Sequence, residues 1–172
     1  MTADELRNLQ APLKSLYRSK PESALKTLKA EGRVDGETIS CSLTGSNGSI
    51  SSGLHPAAGG DGSWACSADM LLQSLVACAG VTLAAVAKSM GLELGSTQIH
   101  AEGDIDFRGT LGINKDSPIG FKEIRLFFDL DLPESAAEQA HKLIELTERY
   151  CVIYRTLKEP AHLSTTMVIS SK

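Results

Sequence analysis

The chain has 172 residues, a net charge of −4, 42% hydrophobic residues and 22% charged ones. That is one domain's worth of chain with enough apolar mass to bury a core, which excludes bulk disorder. Its 17 lysines and arginines form no basic block. Nucleic-acid binding, which needs clustered cations, is therefore disfavoured. Aromatics are only 5%, so the core is expected to be built from Leu, Ile, Val and Ala.

In chain order, Leu6, Leu9, Leu13 and Leu16 recur at three- and four-residue spacing between charges. This predicts a surface helix over 3–20, stopped by Pro21. Residues 1–22 thus read as a helical extension, and 23–172 as the main domain. Residues 24–31 and 36–44 read as strands joined by a turn around Gly32–Gly36. In the second, Ile39, Cys41 and Leu43 face one way. Asn47-Gly48 signals a hairpin, with a third short strand at about 49–53. Residues 54–65, with three glycines, form a connector. Ser67 is the expected N-cap of a long helix over about 67–90, with Asp69 in its first turn and Gly91 at its C′ position. Alternation in Ile99, Ile105, Ile124, Leu126, Phe128 and Leu130 predicts two long strands, 93–107 and 119–133. A helix follows Pro133 to about 149, Cys151–Leu157 continues it or forms a separate turn, and 162–170 is a last strand. Strands in runs rather than alternating with helices give an α+β fold with a mainly antiparallel sheet.

Met70 to Ala87 runs 18 residues without a charge, the lower length for a membrane span. Its Gln73, Ser74, Gly80 and Thr82, and its alanine content, favour the buried centre of a protein. No membrane role is expected. One small sheet covers one side of such a helix, so a dimer is expected to cover the other. The first twenty residues lack the apolar stretch of a secretory signal, and the four cysteines (41, 66, 78, 151) include no CxxC pair. A cytoplasmic, reducing setting is expected.

Cys78, mid-helix among Ala, Val and Gly, has the surroundings of a small core residue. Cys151 has Arg155 four residues on. If the helix continues, the two share a face, and the guanidinium either favours thiolate or is simply solvated. Cys41 and Cys66 read as packing residues. No pair of cysteines or histidines has zinc-ligand spacing, so no metal is expected.

CSADMLLQSLVACAGVTL resembles the central helix of the OsmC/Ohr family, the osmotically induced and organic-hydroperoxide-resistance proteins, which carries an acidic-Leu-Leu-x-x-Leu-x-x-Cys pattern. ERYCVIYRTL resembles that family's second motif, a cysteine followed closely by arginine and leucine. The element order matches over about 24–170. The resemblance implies an OsmC-like sheet wrapped around a long buried central helix, in an intertwined homodimer with sites at the subunit interface. It also implies a thiol-dependent peroxidase without cofactor, with a peroxide as substrate and an external dithiol as reductant. Cys78 would be the peroxidatic cysteine and Cys151 the resolving one. The family's arginine, from the early strand region, would be Arg33; an exposed turn cation is its other reading. The family glutamate, ten residues before the peroxidatic cysteine, is Ala68 here. Asp69, about 13 Å along the helix from Cys78, either holds a bridging arginine or complements the helix dipole. Val152 stands where the family usually has proline. The alternative is a non-catalytic protein of this fold that holds a small apolar ligand at the dimer interface.

Overall fold

A computed structural model describes residues 1–45 and 48–169. The N-terminal helix α1 (Ala3–Ser19) opens with a capping box: the Glu5 N–H donates to Thr2 Oγ1 (3.1 Å) and the Thr2 N–H to Glu5 Oε2 (2.7 Å). None of its residues is buried, and its main neighbour is its own following turn, Pro21–Ala24.

The first sheet holds β1 (Glu31–Asp35), β2 (Ser40–Gly45), β3 (Gly48–Gly53) and the two-residue β4 (Ala65–Cys66). The first three are antiparallel; β4 runs parallel to β3. Two expectations need correction here. Of the stretch 24–31 only Glu31 is in a strand, as the first residue of β1, and the expected turn at Gly32–Gly36 is largely β1 itself. The turn lies at 36–39 instead. There the Asp35 carboxylate accepts from the N–H groups of Glu37 (2.9 Å) and Thr38 (3.3 Å), an Asx turn that outcompetes the glycine signal. Arg33 is therefore mid-strand opposite Ser42, not in a turn. Cys41 and Leu43 do share the covered side of β2, whereas Ile39 falls in the turn with φ 50° and is exposed. Asn47, half of the expected hairpin signal, lies outside the described residues.

The central helix α2 (Ser67–Met90) has its N-cap at Cys66, one residue earlier than expected, and Ser67 is its first helical residue. Gly91 takes φ 71° at its end, the left-handed conformation that glycine adopts freely. The second sheet pairs β5 (Gln98–Ile105) with β6 (Phe121–Asp129), antiparallel and shorter than the sequence pattern indicates. A short helix, α3 (Phe107–Thr110), follows β5. The two sequence-expected strands thus belong to a sheet of their own within this chain. Burial alternates cleanly along β5, with Ile99, Ala101, Gly103 and Ile105 inward. A Cβ on Gly103 would stand 2.4 Å from the Phe121 ring, so only glycine lets the ring cross there.

Helix α4 (Ala137–Tyr150) packs on α2, and α5 (Val152–Lys158) follows after a break at Cys151. The core lies between α2, α4 and the second sheet. Leu83, Ala87 and Leu143 are its centre, ringed by Val86, Ile99, Phe128 and Ile144. Leu143 is 0% exposed, so Leu143→Ala is expected to cost about 3 kcal/mol in urea unfolding, transfer and cavity terms together.

Within one chain α2 buries a single face, Leu75, Ala79, Leu83 and Ala87. The opposite face is open, with Val81 74% exposed. The expected last strand, 162–170, is also corrected: residues 161–169 form no strand and pair with none among the described residues. Their Leu163 is 90% exposed. A β-prone pattern becomes a strand only when a neighbouring edge supplies hydrogen bonds.

Candidate active site

Cys78 lies midway along α2 and is partly exposed; Cys151 is 1% exposed. Seventy-three positions apart in sequence, they meet because α5 packs across α2. The two sulfurs face each other closely enough that each alters the other's affinity for a proton. Both are free thiols, as are Cys41 and Cys66.

The local backbone explains the placement. Helix α4 ends at Tyr150, and Cys151, with φ −72° and ψ 111°, is extended. It caps both helices: its N–H donates to the Thr147 carbonyl (2.9 Å), and its Sγ accepts from the Tyr154 N–H (3.5 Å). The β-branched pair Val152-Ile153 then opens α5, whose first N–H groups have no partner within the helix. Those of Ile153 and Val152 favour the thiolate form of Cys78. The Thr82 hydroxyl, one turn beyond Cys78, donates to the Cys78 carbonyl at 2.8 Å. Its single proton can serve either that oxygen or the sulfur, and the carbonyl holds it in this structure.

These surroundings push the two thiols in opposite directions. Burial raises the Cys78 pKa, but the Ile153 N–H, the Cys151 thiol and the Val152 N–H together outweigh it, and the thiol lies below the ordinary range. Burial lifts Cys151 above that range, and the negative charge on Cys78 adds to the lift, against the Tyr154 N–H. Once the pair has lost one proton, the other therefore stays preferentially on Cys151. The arrangement gives a nucleophilic sulfur beside a protonated thiol, which suits two-step oxidation to a disulfide.

The other candidates stand elsewhere in this chain. Arg33 is exposed on β1, whose main contacts are with β2. Asp69, in the first turn of α2, lines a small cavity with His55, Asp104 and Phe107. The groups that act most strongly on Cys78 are amides, a thiol and a hydroxyl, none of them a cation. Arg155 does not serve Cys151 either. The helix break puts Cys151 outside α5, and the Arg155 guanidinium pairs with Glu159 at 2.6 Å. His55 stacks on Phe107 with ring centroids 5.0 Å apart.

Sequence reasoning missed the amide donors and a groove of about 720 Å³ between α2, β6 and α5. Its apolar lining includes Leu71, Leu75, Ile124, Leu126, Phe128 and Leu157. Leu75 is one helical turn before Cys78, and Tyr154, three residues after Cys151, also lines the groove. The β-branched residues directly after Cys151 were the available signal for the helix break.

The sequence profile of OsmC-like proteins matches residues 60–166. Among curated proteins no match is found. The fold is similar to that of an OsmC-like protein from Mycoplasma pneumoniae, at TM-score 0.63 and 16% identity over 78% of this chain and 89% of that one. It is also similar to an organic hydroperoxide resistance protein from Elizabethkingia anophelis (TM-score 0.61, 20% identity, 79% and 91% covered). A third similar structure is an organic hydroperoxide resistance protein of Bacillus subtilis (TM-score 0.55, 19% identity, 78% and 93% covered).

Proposed function

Because the chain belongs to the OsmC-like family, we propose that it is a thiol-dependent peroxidase that reduces organic hydroperoxides or hydrogen peroxide through Cys78 and Cys151. The observation that carries the reading is the meeting of two free thiols of opposite proton affinity. The Cys78 thiolate attacks the peroxide O–O bond. Its sulfur becomes a sulfenic acid, and the leaving oxygen takes a proton and departs as alcohol or water. Cys151 then attacks the sulfenic sulfur, forming the disulfide and releasing water. An external dithiol restores both thiols by exchange, its own two sulfurs ending as a disulfide. The reading's setting is the cytoplasm, where such reductants are kept reduced.

A homodimer belongs to the same reading. The open face of α2 carries Ser74, Ala77, Val81 and Ala84, small enough for another helix to approach closely. Two further apolar stretches lack cover, with Leu28 at 92% and Leu163 at 90% exposed. Apolar surface left uncovered in this way marks an interface, and a second copy would cover it isologously. In that arrangement Arg33 and Asp69 would approach the thiols from the partner, as a cation for Cys78 and its anchor. The wild-type chain is expected to sediment as a dimer at micromolar concentration. Val81→Glu, a charge placed at the centre of the interface, is expected to weaken association at least about 100-fold. A monomeric wild type would remove this part of the reading.

The apolar groove supports a second reading, a protein that holds a small apolar ligand without turnover. One assay separates the two: consumption of an organic hydroperoxide with a dithiol reductant, beside mass spectrometry of the native protein. Turnover by protein carrying no ligand supports the peroxidase. A co-purifying apolar ligand with no turnover supports the binder and ends the peroxidase reading.

A further inference from the structure

Helix α1 lies before residues 60–166, the stretch that the family profile matches, and the mechanism above leaves it unused. Its pattern is nevertheless regular. Leu6, Leu9, Leu13 and Leu16 are three, four and three residues apart. That is the a–d–a–d repeat of a helix that meets another helix along a narrow seam. In the same frame Arg7, Lys14 and Arg18 take the outer b and f positions, and Glu5, Gln10 and Ser19 flank the seam. A helix lying on a sheet or a lipid surface carries a broader apolar stripe. Leu9 is 61% exposed, Leu13 47% and Leu16 41%, and the helix packs mainly on its own following turn. A helix of this length is marginal in water unless its apolar face is packed.

We propose that α1 pairs antiparallel with α1 of a second copy of this chain, Leu9 of each facing Leu13 of the other and Leu6 facing Leu16. Three observations choose this occupant. Four identical leucines make the seam self-complementary, as a two-fold contact requires. They are also placed symmetrically about Ala11, so a reversed helix presents leucine at the same heights. Finally, the first turn is acidic, with Asp4 and Glu5, and the last is basic, with Arg18. Antiparallel packing sets each end beside its opposite, whereas parallel packing sets like beside like. Pro12 falls at a g position, beside the seam and not in it. Residues 25–30, which tether α1 and its turn to β1, form no helix or strand. Extended, six residues reach about 20 Å, enough for two tethered helices to swing together. The proposal rests on the homodimer part of the reading above, to which α1 adds a second contact, and it makes no use of the thiols.

The test uses the full chain. In a mixture of isotope-labelled and unlabelled wild-type protein, filtered NMR spectra should place the Leu9 methyl groups of one copy against the Leu13 methyl groups of another. Sedimentation measures what the contact contributes. Leu9→Glu should raise the dimer dissociation constant at least about tenfold, because a charge enters an apolar seam. Ala11→Glu, on the outer face, should leave it unchanged. Leu9→Glu combined with Leu13→Lys should recover most of the loss, since only reversed helices bring each new carboxylate to a new ammonium group. None of these positions is buried in the chain, so its core is untouched by the substitutions. A dimer without contacts between the two α1 helices overturns the pairing and leaves the homodimer reading standing. Contacts of Leu9 with Leu9, or of these leucines with the body of either copy, overturn it as well. A monomeric wild type ends both.

Discussion

Cys78→Ser is expected to lower hydroperoxide turnover at least ~10³-fold, the scale on which loss of a nucleophile is felt elsewhere. The argument is ionisation. The amides of Ile153 and Val152 draw the Cys78 thiol below the ordinary range, whereas a serine hydroxyl in the same place stays protonated near neutral pH. Its oxygen also lacks the polarisable sulfur that makes a thiolate attack a weak O–O bond. The substitution is nearly isosteric on a partly exposed face of α2, so thermal stability should stay within a few degrees and a loss of rate cannot be blamed on unfolding. The assay is dithiol-dependent consumption of an organic hydroperoxide, with Cys41→Ser alongside. Cys41 sits on β2, in the first sheet, and its replacement should leave the rate unchanged.

Cys151→Ser is expected to separate the two half-reactions. The first equivalent of hydroperoxide should still be consumed, because Cys78 keeps its amide donors. The product then stops at the sulfenic acid, as no thiol stands beside it. Sustained turnover should fall about 100-fold, limited by direct attack of the external dithiol on a partly covered sulfur. Intact mass should show one added oxygen in place of the two lost hydrogens of a disulfide. With excess peroxide, sulfinic acid should accumulate at Cys78. Wild-type rates in this variant would show that Cys151 takes no part in resolution.

The elements legible in the sequence are those whose residues carry their own pattern. Helix α2 was readable to its last residue, because a long apolar run is followed by Gly91, whose left-handed φ stops the helix. The inward face of β5 was readable from alternation alone. The first strand was misplaced because Gly32 and Gly36 look like a turn, while the deciding contact, the Asp35 carboxylate on two amides, depends on a side-chain orientation that composition does not carry. The pattern at 162–170 was real as a propensity, but a strand needs an edge to pair with, and that edge is a tertiary fact.

The site divides in the same way. Cys78 and Cys151 were legible from two motifs whose residues resemble a known pattern. Their environment was not. Every residue except proline has an N–H, so nothing in the letters Val152 and Ile153 announces that their amides lower the pKa of a thiol 74 and 75 positions away in sequence. Arg155 shows the opposite failure. It looked like a thiolate partner by helical spacing, but the break at Cys151 removed the shared helix and Glu159 took the guanidinium.

The central claim is that the sulfurs of Cys78 and Cys151 act as one redox couple. It is tested most directly by treating the reduced protein with one equivalent of cumene hydroperoxide and mapping its peptides without reductant. The account predicts a single cross-linked pair joining the Cys78 and Cys151 peptides, formed in step with peroxide loss and reversed by a dithiol. Cys78 and Cys151 both recovered as free thiols after such treatment, or a cross-link through Cys41 or Cys66 instead, would contradict it.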